Sequence, residues 1–302
     1  MIKRLANSSV LTQLILLAFI GGSLSPLLKL ALASIPPLSL AFVRTLIVAI
    51  FVACLMATKI RLTFTKIKAF IGLGVFWWLS IVLYILGLQT TTATTGQFIH
   101  VSIPILTALF SLLLLGNKLR PIQWAGIFIA AGGVGSIILS GSSLSLSSKS
   151  LLGNLLILTS ATIFALYATF SPTRRYQNLS SLEMVFIAAT SGALATLPFA
   201  IRDTMSTNWL ATTTPQASAA MIAVGLVSGL FYAIFQQLVK KVGPSYTTLT
   251  LYLIPLFTIF WAALLLHEHI SSRTLAGGLI ALFGVWLVTN FATKRPAITI
   301  SE

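Results

Sequence analysis

The feature that most constrains this chain is a succession of apolar runs, each about 20 residues long, joined by short polar connectors. Backbone in lipid must satisfy its own hydrogen bonds, and a helix needs roughly 20 residues to cross a hydrocarbon core about 30 Å thick. Ten runs are read, over residues 10–31, 37–57, 67–89, 92–115, 121–140, 150–171, 181–201, 217–239, 245–266 and 273–292. The least marked boundary, between the seventh and eighth, falls in RDTMSTNWLATTTPQ (202–216). Mean hydropathy is +1.00 and only 8% of residues are charged, far from a soluble domain. The expectation is an all-α integral membrane protein with ten transmembrane helices. The first run exceeds the apolar core of a secretory leader and no small-residue cleavage site follows it, so it is read as a retained helix.

A net charge of +15 would suggest nucleic acid in a soluble protein, but its distribution assigns it to topology. With the N-terminus inside, fourteen cations fall in cytoplasmic segments, and only Lys149, Arg202 and Arg273 in outer loops. That positive-inside bias predicts both termini in the cytoplasm, attraction to anionic lipid head groups, and no nucleic-acid partner. The single cysteine, Cys54, lies within the second run and leaves no internal disulfide.

Residues 103–134 and 254–285 match at a constant offset of 151, with twelve identities in 32 positions. These include Ile-Pro at 103–104 and 254–255, a Leu triplet at 113–115 and 264–266, and Ala-Gly at 125–126 and 276–277. The chain therefore reads as two five-helix repeats, 1–142 and 151–302, with a hinge at 143–150. Five is odd, so the second repeat enters the bilayer from the opposite side. Inverted repeats around a midplane site are the plan of alternating-access carriers.

The repeat also interprets HEHI (267–270), which contains one of only four carboxylates. It is the inverted counterpart of GNKL (116–119), so it is a helix end. His267 and His269, two apart, would point about 200° apart on a helix, and no third ligand is at hand, so no metal site is expected. Glu268 is read as a cap or ion pair at the start of the tenth helix, for instance with Arg273.

The phrase PILTALFSLLLLGNKL…QWAGIFIAAGGV and its echo PLFTIFWAALLLHEHI…RTLAGGLIALFGV resemble the duplicated EamA module of the drug/metabolite transporter superfamily. The stretch SLSPLLKLALASIPPLSLAFVRTL over the first two helices is similar as well, and the resemblance covers essentially the whole chain. It implies a ten-helix carrier of small organic solutes in a bacterial inner membrane. Asn117 stands where the module usually has an acidic turn residue, while Glu268 fits. The first helix lacks the carboxylate of the related four-helix multidrug exporters, which argues against their cation/proton antiport.

Ionisable groups within a bilayer are costly and mark candidate sites. His100, nine residues into the fourth helix, heads a stripe of Gln97, His100, Pro104, Thr107 and Ser111 on one face. The alternative is a histidine bonded to a neighbouring helix. Lys29 lies near the outer end of the first helix, where it either lines the cavity or snorkels to head groups. Arg44, about 10 Å deep in the second helix, has no carboxylate in reach, so a carbonyl or a substrate anion must serve. Trp78, Tyr84, Tyr167, Tyr232 and Gln236 complete the substrate-binding candidates, each of which can instead face lipid. Pro104 and Pro255, at equivalent positions, are gating candidates because proline frees the i−4 carbonyl and bends a helix.

With no phosphate-binding loop and no soluble domain, the expected activity is gradient-driven transport without a cofactor. Cationic groups without an acid favour zwitterionic or anionic metabolites such as amino acids, exported or exchanged. A multidrug exporter of the same fold is the alternative. An intramembrane lipid-modifying enzyme would need a catalytic set that acids at 183, 203, 268 and 302 do not supply. If protons are coupled, His100 is the midplane group that titrates near neutrality. The expected partners are a small-molecule substrate and the bilayer. A monomer suffices because both halves are in one chain, and a homodimer is left open.

Overall fold

The computed structural model describes residues 8–56, 64–116, 118–140, 148–170, 179–242 and 250–290, and every described element is a helix. They are α1 (Ser8–Ala31), α2 (Pro37–Met56), α3 (Phe64–Leu88), α4 (Ala93–His100), α5 (Ile103–Leu115) and α6 (Pro121–Ser140) in the first repeat. The second repeat holds α7 (Ser148–Phe170), α8 (Ser181–Ser206), the short α9 (Trp209–Thr212), α10 (Pro215–Val242), α11 (Thr250–Leu266) and α12 (Ser272–Asn290). Eight crossings are long and apolar, with α4 and α5 together forming one, and the apolar parts of α3 and α11 bring the described crossings to ten.

Local chemistry sets the ends. Pro37, Pro121 and Pro215 open their helices, where a missing N–H costs nothing. Ser180 and Glu183 form a reciprocal capping box at the start of α8. Gly116 ends α5 in the left-handed region at φ 67°. Its repeat equivalent, His267, adopts φ 53° after α11, so the turn is preserved although the glycine is not.

Three details depart from the sequence reading. The fourth run is two helices broken at Val101–Ser102, so the stripe predicted on one face is divided between α4 and α5. The seventh extends to Ser206 because Asp203, Thr204 and Ser206 stay in helical register despite Pro198. Of the expected hinge, 143–147 lies outside the described residues, and 148–150 already form the first turn of α7.

The repeats are inverted, and the packing shows it. A Cβ on Gly126 would lie 2.7 Å from Gly284 O, and one on Gly133 would lie 2.6 Å from Gly277 O. Numbers rise along α6 as they fall along α12, so these equivalent helices run antiparallel. The two contacts interchange under the 151-residue shift. Equivalent helices α2 and α8 are also antiparallel: Gly192 faces Thr45, and Asp203 accepts from Ser39. The remaining pairings follow the same exchange, α1 against α10 and α11 mirrored by α7 against α3 and α4–α5.

The interior is apolar where helices cross, with Leu28, Leu40, Ile85, Leu88, Phe98 and Ile157 fully buried. The outside is apolar too: Leu113, Phe128 and Leu139 are each more than 60% exposed. A chain apolar on both sides is a multi-pass membrane protein.

Candidate solute-binding site

Ordinary helical spacing brings polar side chains from six helices of both repeats into the middle of the bundle. Ser25 of α1 bonds Tyr84 Oη of α3 at 2.7 Å and Gln97 Oε1 of α4 at 3.1 Å. A serine has one proton, so with that proton given to Gln97, Tyr84 donates to Ser25. The His100 ring lies against Tyr84, with centroids 4.2 Å apart. His100 Nε2 is 3.2 Å from Ser160 Oγ of α7, which itself donates to Ser80 O at 2.6 Å. Ser160 has therefore spent its proton, and Nε2–H must be the donor. That leaves Nδ1 as the ring's acceptor.

Arg44 is 7% exposed, deep between α2 and α10. Its Nε–H donates to Ser228 Oγ at 3.1 Å, and Ser228 passes its own proton to Val224 O at 2.6 Å. Its two terminal amino groups have no hydrogen-bond partner among the described residues. Tyr84, Tyr232 and His100 all lie within electrostatic reach of the guanidinium. Tyr232 packs edge-on to Trp77 at 5.8 Å, and Tyr167 lies in reach of Tyr232.

The predicted residues thus separate. His100, Gln97, Arg44, Tyr84, Tyr167 and Tyr232 come together. Lys29 does not join them: its Nζ donates to Leu88 O, Gln89 O and Thr91 O at 2.6, 3.2 and 2.8 Å, capping α3. All three ammonium protons are engaged, and the side chain does not snorkel. Trp78 turns toward α8 beside Thr45 and Gly192, and its buried Nε1–H has no partner among the described residues. The Gln236 side chain lies outside the described residues. Pro104 sits at the start of α5, where the chain breaks, whereas Pro255 lies inside a continuous α11. The two prolines are therefore not matched kinks.

Of the pair Trp77 and Trp78, sequence leaves open which meets a solute and which faces lipid, and Ser25 is legible only as sharing the face of Lys29; Ser160 and Ser228 are missed by sequence reasoning altogether. These last two serines carried a faint signal, being hydroxyls within apolar spans, but nothing distinguished them from other serines in helices.

The described acids are all at helix ends. Glu183 closes its capping box, Asp203 accepts from Ser39 Oγ at 3.0 Å, and Glu268 reaches across the repeats. Glu268 Oε1 accepts Ala93 N–H at 2.8 Å, and Oε2 accepts Thr94 N–H and Oγ1–H at 3.2 and 3.0 Å. It caps α4, not α12 as expected, because the left-handed turn at His267 aims it at the other repeat. A cavity of about 870 Å³ lies beside it, lined by Lys29, Thr94, Asn154, Glu268 and His269 among others. No cluster of metal-ligating side chains occurs among the described residues.

A bundle of antiparallel five-helix repeats around a buried polar cluster has the form of a membrane carrier. The EamA-like transporter family model matches twice, at residues 8–139 and 151–290, and the chain belongs to this family. It is 24% identical over 289 residues to an "Uncharacterized transporter" of Archaeoglobus fulgidus, covering 94% of this chain and 98% of that one. It is 29% identical over 311 residues to "Uncharacterized transporter YvbV" of Bacillus subtilis, covering 99% and 98%. YoaV of the same bacterium is 22% identical over 298 residues, covering 95% and 98%. A crystal structure with 19% identity superposes at TM-score 0.59 over 93% of this chain and 98% of that one, a likeness of fold alone. Family and relatives point to a transporter rather than an enzyme.

Proposed function

We propose that the chain is a secondary carrier of small zwitterionic or anionic metabolites, amino acids being the first class to test. It works by alternating access around the Arg44–His100 cluster, with export or exchange as the direction. The reading rests on one observation: a buried arginine keeps four terminal N–H donors open, with no acid beside it among the described residues. A buried cation needs a counter-charge, and a carboxylate fits the guanidinium fork. Tyr84, Tyr232 and Trp77 supply aromatic surface for an organic body, and His100 Nδ1 and Gln97 supply polar contacts.

The lysine and arginine bias supports cytoplasmic termini with the 89–92 and 267–271 loops outside, and the family resemblance supports a bacterial inner membrane. The substrate and the bilayer are the partners, and one chain holds the complete unit.

The test is counterflow in proteoliposomes with amino acids, organic acids and lipophilic cations. Anionic or zwitterionic solutes should exchange, and Arg44→Gln should weaken their half-saturation by tenfold or more, on the order of a lost charge-assisted pair. Exchange of lipophilic cations alone, indifferent to Arg44→Gln, would instead support the multidrug alternative.

A further inference from the structure

Besides the bonds of the central cluster, and Gln123 Nε2 to Val288 O at the far end, a group of hydrogen bonds joins the repeats at one end of the bundle. There Ser39 donates to Asp203, Thr214 N–H to Ser34, Thr91 to Asn154, and Ala93 and Thr94 to Glu268. Glu268 contributes most, its side chain accepting three bonds from the first turn of another helix. A carboxylate there also meets the positive end of the helix dipole.

The helix it holds is unusual. α4 has eight residues, and Val101–Ser102 separates it from α5. Ser102 Oγ at the break is buried without a hydrogen-bond partner among the described residues, and Pro104 lacks the N–H that a continuous helix would give to His100 O. α4 is therefore a separate segment whose N-terminus is its handle. Gln97 lies one turn below Thr94, and His100 lies about two turns below Ala93. Glu268 is half-buried beside the 870 Å³ cavity, so water can replace the amides when the carboxylate leaves.

We propose that Glu268 is a positioning residue and a detachable latch. It holds α4 so that Gln97 and His100 meet Ser25 and Ser160, and it fastens the repeats at this end. Opening this end requires the carboxylate to let go of α4. The inference rests on the alternating-access reading, and its test is independent of flux.

A reporter is placed at Ser25, which is 2% exposed beneath this end, as Ser25→Cys with the exposed Cys54 replaced by serine. A membrane-impermeant maleimide is applied to intact cells and to inside-out vesicles, which present opposite sides. Glu268→Ala should speed labelling about tenfold from the side of the 267–271 loop only, in keeping with the loss of charged hydrogen bonds. Thr94→Val, which removes one donor, should give a smaller rise on the same side. Unchanged rates in both variants overturn the latch, and so does equal acceleration from both sides, the mark of a loosened fold. Should Glu268→Ala not fold, Thr94→Val decides by the same criteria. If the unsubstituted protein exchanges no solute while labelling of the reporter still responds, the carrier reading falls and the latch stands. If the unsubstituted protein exchanges solute while labelling is indifferent to both variants, the reverse holds.

Discussion

His267 holds the left-handed turn that its equivalent Gly116 adopts without strain, at φ 53° against 67°. A β-carbon in that region costs about 1–2 kcal/mol, and the side chain is exposed. His267→Gly should therefore stabilise the protein by about 1 kcal/mol, read as a higher melting temperature, with the Glu268 contact intact. A lower melting temperature would show that the imidazole contributes more than the strain takes away. This residue also marks what the sequence could carry. The repeat identified HEHI as a helix end, whereas the 200° helical spacing read for its two histidines does not apply, because 267–271 lie between the helices. The partner of Glu268 was not legible, because the acid caps a helix 175 residues earlier in the chain. Proximity in sequence favoured Arg273, and only the fold brings α4 closer. Lys29 follows the same logic: its position near a helix end was readable, but the three carbonyls that engage it belong to the end of α3 and the loop after it.

At the level of elements, nearly every helix could be read from apolar run length, punctuated by Pro, Gly116 and the Ser180–Glu183 box. The exception is the break between α4 and α5. Residues 93–115 are apolar enough for one unbroken span, and Pro104 alone would suggest a kink. The break arises from a tight turn in which Val101 and Ser102 N–H bond three residues back, to Phe98 O and Ile99 O. Pro104→Ala restores a donor for His100 O and should fuse the two segments. Hydrogen exchange at Val101–Ile103 should slow severalfold in this variant. Exchange as fast as in the parent would place the cause of the break elsewhere. Pro255→Ala, inside the unbroken α11, should leave those amides untouched.

For the whole molecule, the antiparallel seam between α6 and α12 is a close backbone-to-backbone contact between the repeats. A Cβ at Gly126 would meet Gly284 O at 2.7 Å and Leu287 Cβ at 2.8 Å, whereas one at Gly132 would meet nothing within 4 Å. Gly126→Ala should thus destabilise by about 1–3 kcal/mol through overpacking, while Gly132→Ala should stabilise by up to about 1 kcal/mol through helix propensity. Thermal unfolding in detergent separates the two, and equal effects would deny the seam its role. The inverted architecture was legible because an odd number of runs repeated. The membership of the central cluster was only half legible, since serines acquire meaning through neighbours that sequence does not reveal.

The matched halves are not identical: Leu251 occupies the place of His100, and Glu268 that of Asn117. Perfect equivalence would give a carrier equal dwell times facing each compartment and the same half-saturation on both sides. Unequal substituents lift that degeneracy, so under the alternating access proposed above cargo should load from one side at a lower concentration than from the other. Detailed balance then ties each difference in affinity to a compensating difference in turnover, and the asymmetry tunes the kinetics without supplying a thermodynamic direction.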